Sequence, residues 1–269
     1  MLSLCTMNVR NLSSPARINE LDAALHSIKT DIVGVTEVRK RGKGSLTVPS
    51  SRVLFYSGHS QRAASGVGFV VSRSMAKDCE FRAVSSRVAS LSIRSIKLYV
   101  VVGYAPTTAA TDDEYDEFIE DVEEELEKGS KGYSKMLVGD FNCKVERTPA
   151  CSHVVWPYTK RSGNERGDVF VEFCIRNNLR LLNTFYRKRS GRLWTWRSPD
   201  GRTRNQVDYM AAAMKLSARN VDVVPSFAFH SDRRLLRATM QIRTTCRRDR
   251  YRRNRYVLDR DAYRRSIAQ

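Results

Sequence analysis

With 269 residues, 41% of them apolar, the chain is long enough for one large α/β domain built round a continuous core. Lys and Arg number 47 against 29 for Asp and Glu, a formal charge of +18, so a polyanion is the first partner to expect; nucleic acid or an acidic membrane surface would both serve. The 6 cysteines (Cys5, Cys79, Cys143, Cys151, Cys174 and Cys246) form no Cys-x-x-Cys pair and no His/Cys cluster, which argues against a zinc site and a disulfide framework and for a reducing compartment, cytoplasmic or nuclear.

No run is apolar and long enough to span a membrane, and residues 1–7 lack the basic head of a signal peptide. Leu2–Asn8 reads as a buried strand starting almost at the first residue, with no extension ahead of it to shield or target the domain. Residues 17–29 form a helix pattern, Ile18, Leu21, Leu25 and Ile28 sharing one face, and a strand at 31–36 follows. Strands rich in Val, Ile, Leu and aromatics at 52–56, 66–71, 88–93 and 97–104 suggest an antiparallel meander. Thr111 can cap an acidic helix at 112–128, whose Phe118, Ile119, Val122 and Leu126 point inward while its carboxylates face water.

The second half echoes the first. A strand at 135–139 ends at Asp140; after an irregular stretch come a helix at 166–177 and a strand at 179–183. Strands at 193–196, 206–211, 221–224 and 236–242 complete an alternation that implies two packed sheets with helices outside. From Cys246 the composition turns arginine-rich, so the folded domain is expected to cover 1–245 and an arginine-rich tail or linker 246–269. That tail reads either as a nucleic-acid contact or as a solvated terminus.

Polar residues recur at the ends of the strands, where side chains can converge on one rim. Asn8 ends the first strand and Glu37 the second, an amide oxygen and a carboxylate that suit a hard cation, although each alone also reads as a turn or exposed strand-end residue. Tyr104 stops an apolar strand before Pro106 and can donate to a phosphate oxygen. Gly139-Asp140-Phe141-Asn142 is the sharpest local signal: the carboxylate can position a water and the amide can hold it or a phosphate. Asp208 sits in an apolar strand, where an acid needs a partner. Ser231-Asp232-Arg233-Arg234 lies between two apolar strands, with Asp232 a third oxygen ligand or a surface aspartate. Trp194 and Trp196 read either as core or as base-stacking surfaces.

Taken in order, Asn8, Glu37, Tyr104, Asp140-x-Asn142, Asp208 and Ser231-Asp232 resemble the signature of the endonuclease/exonuclease/phosphatase superfamily. The stretches 194–199, 205–209 and 232–237 more narrowly resemble the endonuclease domains of RTE-type non-LTR retrotransposons and the craniofacial development protein 2 group. The resemblance implies an α/β, four-layer, deoxyribonuclease I-like sandwich of two mainly antiparallel sheets packed face to face with helices outside. It implies Mg2+, with Mn2+ as an alternative, held by Glu37 and Asn8 with Asp232 near it. Tyr104 and Asn142 would contact the scissile phosphate, and Asp140 would orient or deprotonate water.

DNA would be the substrate, with no membrane and no small-molecule cofactor; a reverse transcriptase domain belongs to the parent element but is absent from this sequence. One position departs from the family pattern. Where the family has a histidine oriented by the aspartate matching Asp208, this chain has Arg233, which cannot accept a proton but can neutralise phosphate charge. His230, three residues earlier, is a poor substitute. The leading expectation is therefore a DNA-nicking phosphodiesterase with turnover weakened or lost. A catalytically silent nucleic-acid-binding remnant, using the basic 187–192 cluster, is the alternative, and a phosphoinositide or other phosphoester phosphatase a third.

Overall fold

The computed structural model describes residues 1–160 and 162–241, and the arginine-rich stretch 246–269 lies outside them. Strand β1 (Leu2–Asn8), helix α1 (Pro15–His26) and strand β2 (Ile32–Thr36) open the chain, with β1 and β2 parallel. Ser14 caps α1 and Pro15 begins it, two residues before the apolar stripe suggests. Strands β3 (Lys43–Thr47), β4 (Val53–Ser57) and β5 (Val67–Val71) follow as antiparallel neighbours. After the one-turn helix α2 (Arg73–Ala76) the chain enters a second sheet with β6 (Cys79–Ala83), β7 (Val88–Ile93) and β8 (Leu98–Tyr104). The expected single meander is thus divided between two sheets, because the turn at α2 carries the chain across the core.

Helix α3 (Asp112–Glu127) starts in a reciprocal cap between Thr111 and Glu114 and leads to β9 (Ser134–Asp140), parallel to β8. Next come α4 (Glu165–Arg176), β10 (Leu179–Leu181), the small pair β11 (Trp196–Arg197) and β12 (Arg204–Asn205), and β13 (Asp208–Ala213). Finally β14 (Ala218–Val223) and β15 (Leu236–Met240) return to the first sheet. The strand expected at 179–183 stops at Leu181 because Asn183 turns inward, donating to the Asp208 carbonyl and accepting from Met210 N. The strand expected at 206–211 begins only at Asp208, and that expected at 193–196 contributes only Trp196 to a ladder.

The sheets run β14-β15-β1-β2-β5-β4-β3 and β10-β13-β9-β8-β7-β6. Their facing sides bury one apolar layer that includes Leu4, Phe69, Val100, Val138 and Met210. Helix α1 covers the first sheet through Ile18, Leu21 and Leu25, and α3 and α4 cover the second through Phe118 and Phe170. The result is the expected four-layer α/β sandwich. One α3 carboxylate departs from the expected wet face: Glu125 is fully buried and accepts from Ser90 Oγ at 2.6 Å and Tyr99 OH at 2.7 Å.

Two registers position the rim. Asn8 lies beside Thr36 in β1/β2, and Asp140 lies between Tyr104 of β8 and Asp208 of β13. Gly139 makes this possible. Its φ is +143°, and a methyl group there would run into the Gly103 carbonyl oxygen of the neighbouring strand. At Gly34 an added methyl carbon would come within 2.8 Å of Val138 Cγ2 of the facing sheet, so the two halves of the rim are held close.

Candidate active site

Asn8 is fully buried at the end of β1. Its amide Nδ2 donates to Glu37 Oε1 at 2.7 Å and to Asp140 Oδ2 at 2.9 Å, while its Oδ1 accepts from Arg10 N at 2.9 Å. One amide therefore ties the ends of β1, β2 and β9 together, and it spends its oxygen on the turn. Glu37 follows β2 in the left-handed region, φ 55°, and Asn142 follows β9 there, φ 46°. Such backbone is costly for residues other than glycine and gathers where side chains must be aimed. Asn142 N donates to Asp140 Oδ1 at 3.1 Å, and its Nδ2 donates to Ala105 O at 2.9 Å, just beyond Tyr104.

Tyr104 is buried at the rim with the Arg87 guanidinium 5.4 Å from its ring centre. Burial, reinforced by Glu37 and Asp140, raises its phenol well above the ordinary value, so it stays a hydrogen-bond donor. The loop after it is clamped by Arg166, which donates to the carbonyls of Thr107 (2.8 Å) and Ala110 (2.6 Å) and to Asp112 Oδ1 (3.2 Å).

The other half of the site comes from Ser231 to Arg233. Ser231 Oγ donates to Asn8 O at 3.0 Å and accepts from Arg233 N at 3.1 Å. Arg197 N donates to Asp232 O, Arg234 N donates to Thr195 O, and Thr195 Oγ1 accepts from Asp208 N. These bonds fasten the segment to the start of β13 and aim Arg233 inward. Its Nη2 lies 2.8 Å from Asp140 Oδ2 and its Nη1 3.4 Å from Asp208 Oδ2. Burial disfavours the guanidinium charge, but Asp140 and Asp208 outweigh it and hold Arg233 protonated. Burial, with Asp140 beside it, pushes Asp208 up to about 7. Burial also raises Asp140, against the opposing effect of Arg233.

Asp232 lies nearer the mouth, with Oδ2 accepting from Trp196 Nε1 at 3.1 Å and Oδ1 3.7 Å from Arg10 Nε. Glu37 Oε2 is paired with Arg39 Nη2 at 2.6 Å. Trp194 is largely buried under two guanidiniums, Arg234 at 3.4 Å and Arg204 at 5.2 Å from its ring centre. His230 is exposed, and its backbone N and O are tied to Glu20 and Arg17 of α1.

All ten residues singled out from the sequence thus stand at or beside this rim. Sequence reasoning passed over Arg10 and Arg39, which pair with the mouth carboxylates, and Arg166, which holds the loop behind Tyr104. A signal for the first two existed: Asn8-Val9-Arg10 and Glu37-Val38-Arg39 repeat one pattern at the ends of parallel neighbours, with Arg10 and Arg39 both at positive φ. Among the described residues no three His, Cys, Asp or Glu side chains form a metal-binding cluster, and arginines are interleaved with the carboxylates of the rim. No helix among them is long and apolar enough to cross a membrane.

No protein-family model matches the chain. The endonuclease domain of TRAS1, a telomere-specific non-LTR retrotransposon, superposes with a TM-score of 0.61 at 14% identity, covering 90% of this chain and 99% of that one. The 3′ phosphatase NExo from Neisseria, solved bound to product DNA hairpin, superposes with a TM-score of 0.63 at 17% identity, covering 90% and 100%. Craniofacial development protein 2 of Bos taurus is 30% identical over 249 residues, which are 88% of this chain and 40% of that protein. The chain therefore spans less than half the length of that relative. Architecture and rim together give the chain the deoxyribonuclease I-like fold of these solved structures, and its sequence is similar to craniofacial development protein 2 over 88% of the chain.

Proposed function

We propose that the chain is a magnesium-dependent DNA endonuclease of the retrotransposon target-nicking type, whose turnover is lowered by Arg233. The observation that carries this reading is the convergence of Asn8, Glu37, Tyr104, Asp140 and Asn142 at one rim, with Arg233 inserted between Asp140 and Asp208. The mouth suits a hard divalent ion. Glu37 and Asp232 present carboxylate oxygens, and their partners Arg39 and Arg10 are half-exposed side chains that can swing away. Those two residues would hold Mg2+ or Mn2+, and Asn8 would fix Glu37 in place. When bound, the ion supplies Lewis-acid polarisation of the phosphodiester.

The chain's own groups do the rest. Tyr104 keeps its proton and donates to a non-bridging phosphate oxygen. Asn142 is oriented by Ala105 O for a second contact. Asp140 is the group that can take a proton from the attacking water, yet its oxygens already accept from Asn8, Asn142 and Arg233. It must give up the guanidinium bond to act, and Arg233 itself accepts no proton, so catalysis is slow.

DNA as substrate is supported by the formal charge of +18 and by the guanidiniums gathered over Trp194 beside the rim. In its element of origin such a domain would act with a reverse transcriptase, in the nucleus or cytoplasm. The test is relaxation of supercoiled plasmid at low salt. Slow nicking in Mg2+ that disappears with chelator and with Glu37→Ala is expected. Salt-sensitive DNA binding without nicking, unchanged in Glu37→Ala, would instead identify a silent nucleic-acid-binding domain. Hydrolysis of inositol phosphates in preference to DNA would identify a phosphoester phosphatase.

A further inference from the structure

Asp140 and Asp208 face each other across the antiparallel β9/β13 ladder, both closed to solvent. Two buried carboxylates so placed repel each other and have lost their hydration, so a cation must stand between them or one must stay neutral. Arg233 is that cation. It reaches Asp140 Oδ2 at 2.8 Å and Asp208 Oδ2 at 3.4 Å, and its side chain is only 9% exposed. It does not satisfy the pair. Asp208 Oδ1 is buried with no hydrogen-bond partner.

We propose that Arg233 is a tethered cation filling a latent divalent-ion position between Asp140 and Asp208, so that the wild-type chain takes a divalent ion at the mouth and is barred from a second one in the interior. The inference rests on the metal-dependent reading of the rim, but its test needs no turnover. Three features support it. The donors are hard carboxylate oxygens of two facing aspartates, a chemistry suited to a small divalent ion once both are ionised. One of those oxygens is orphaned under the present occupant. The occupant is tethered, because Ser231, Thr195 and Arg197 fix the backbone on both sides of it, so its guanidinium can shift from Asp140 but cannot diffuse away. A purely structural ion pair makes a different prediction: replacing the arginine by a neutral side chain leaves two carboxylates that share a proton and ignore divalent ions.

The experiment uses Mn2+ as the probe in a Glu37→Gln background, which disables the mouth. Melting temperature and bound Mn2+, read by electron paramagnetic resonance, are compared for E37Q, E37Q/R233M and E37Q/R233M/D208N. The expected result is no Mn2+ response in E37Q, a rise of roughly 5 °C with about one ion bound in E37Q/R233M, and loss of both on adding D208N. No response in E37Q/R233M, an equal response in E37Q, or a response that survives D208N overturns the proposal. Should E37Q/R233M not fold, E37Q/R233H takes its place. Folding of either only when Mn2+ is supplied counts in favour, and failure of both with Mn2+ supplied counts against. Absence of DNA nicking by the wild-type chain would sink the proposed activity while leaving this outcome untouched.

Discussion

Arg233 and Asp208 set the chemistry of the rim at the scale of single residues. Asp208 carries a pH signature that can be measured without substrate. Burial and the neighbouring Asp140 push its carboxyl up to about 7, so the folded chain keeps a proton that the unfolded chain has already released. The sign follows from proton counting. Where the native state binds the extra proton, stability falls as pH rises; the contribution is full below the ordinary carboxylate range, around pH 4, and is lost as pH passes through about 7. Asp208→Asn cannot titrate. The stability of the wild type relative to this variant, from urea unfolding at a series of pH values, is expected to decline across that window and level off above it. A difference that is flat or rises with pH would contradict the assignment.

The site depends, at the scale of elements, on parallel pairs ending at one edge and on glycines that let them approach. Gly139 combines a left-handed φ of +143° with a Cβ position blocked by the Gly103 carbonyl. Gly139→Ala is therefore expected to cost more than about 4 kcal/mol in denaturant unfolding, among the large values reserved for backbone strain and steric overlap. A loss below about 1 kcal/mol would mean that β8 and β9 can separate without penalty.

The same elements explain what the sequence revealed. Asn8, Glu37, Tyr104 and Asp140 were legible because each ends a run of buried apolar residues, and a polar residue there has little to do in a core. Edge strands β3 and β6 were not, since every second residue in them is exposed or nearly so and they carry no apolar run. Asn183 was not legible either, because an asparagine that ends a strand by bonding to β13 looks the same in sequence as a loop residue. Arg166 would pass as a wet residue in the first turn of α4, yet four carbonyl oxygens of the loop before α3 and the carboxylate of that helix's first residue, Asp112, surround its guanidinium. Partners that lie tens of residues away leave no local trace, as with Arg10 and Asp232, whereas Arg39 lies two residues from Glu37 and only the repeated Asn8-Val9-Arg10 and Glu37-Val38-Arg39 pattern marked it.

The whole molecule is a sandwich whose two halves share one rim, in a chain of formal charge +18, a balance that favours a polyanionic partner. In the proposed reading, what lowers turnover is one buried guanidinium, Arg233, held between Asp140 and Asp208. The proposed role of Arg233 is tested most directly by single-turnover nicking of supercoiled plasmid in Mg2+ by the wild type and by Arg233→His, side by side at equal salt. An imidazole at this position is expected to speed nicking by about two orders of magnitude, the scale of a positioned acid–base group. A wild-type chain that nicks as fast as the histidine variant, or faster, would contradict it.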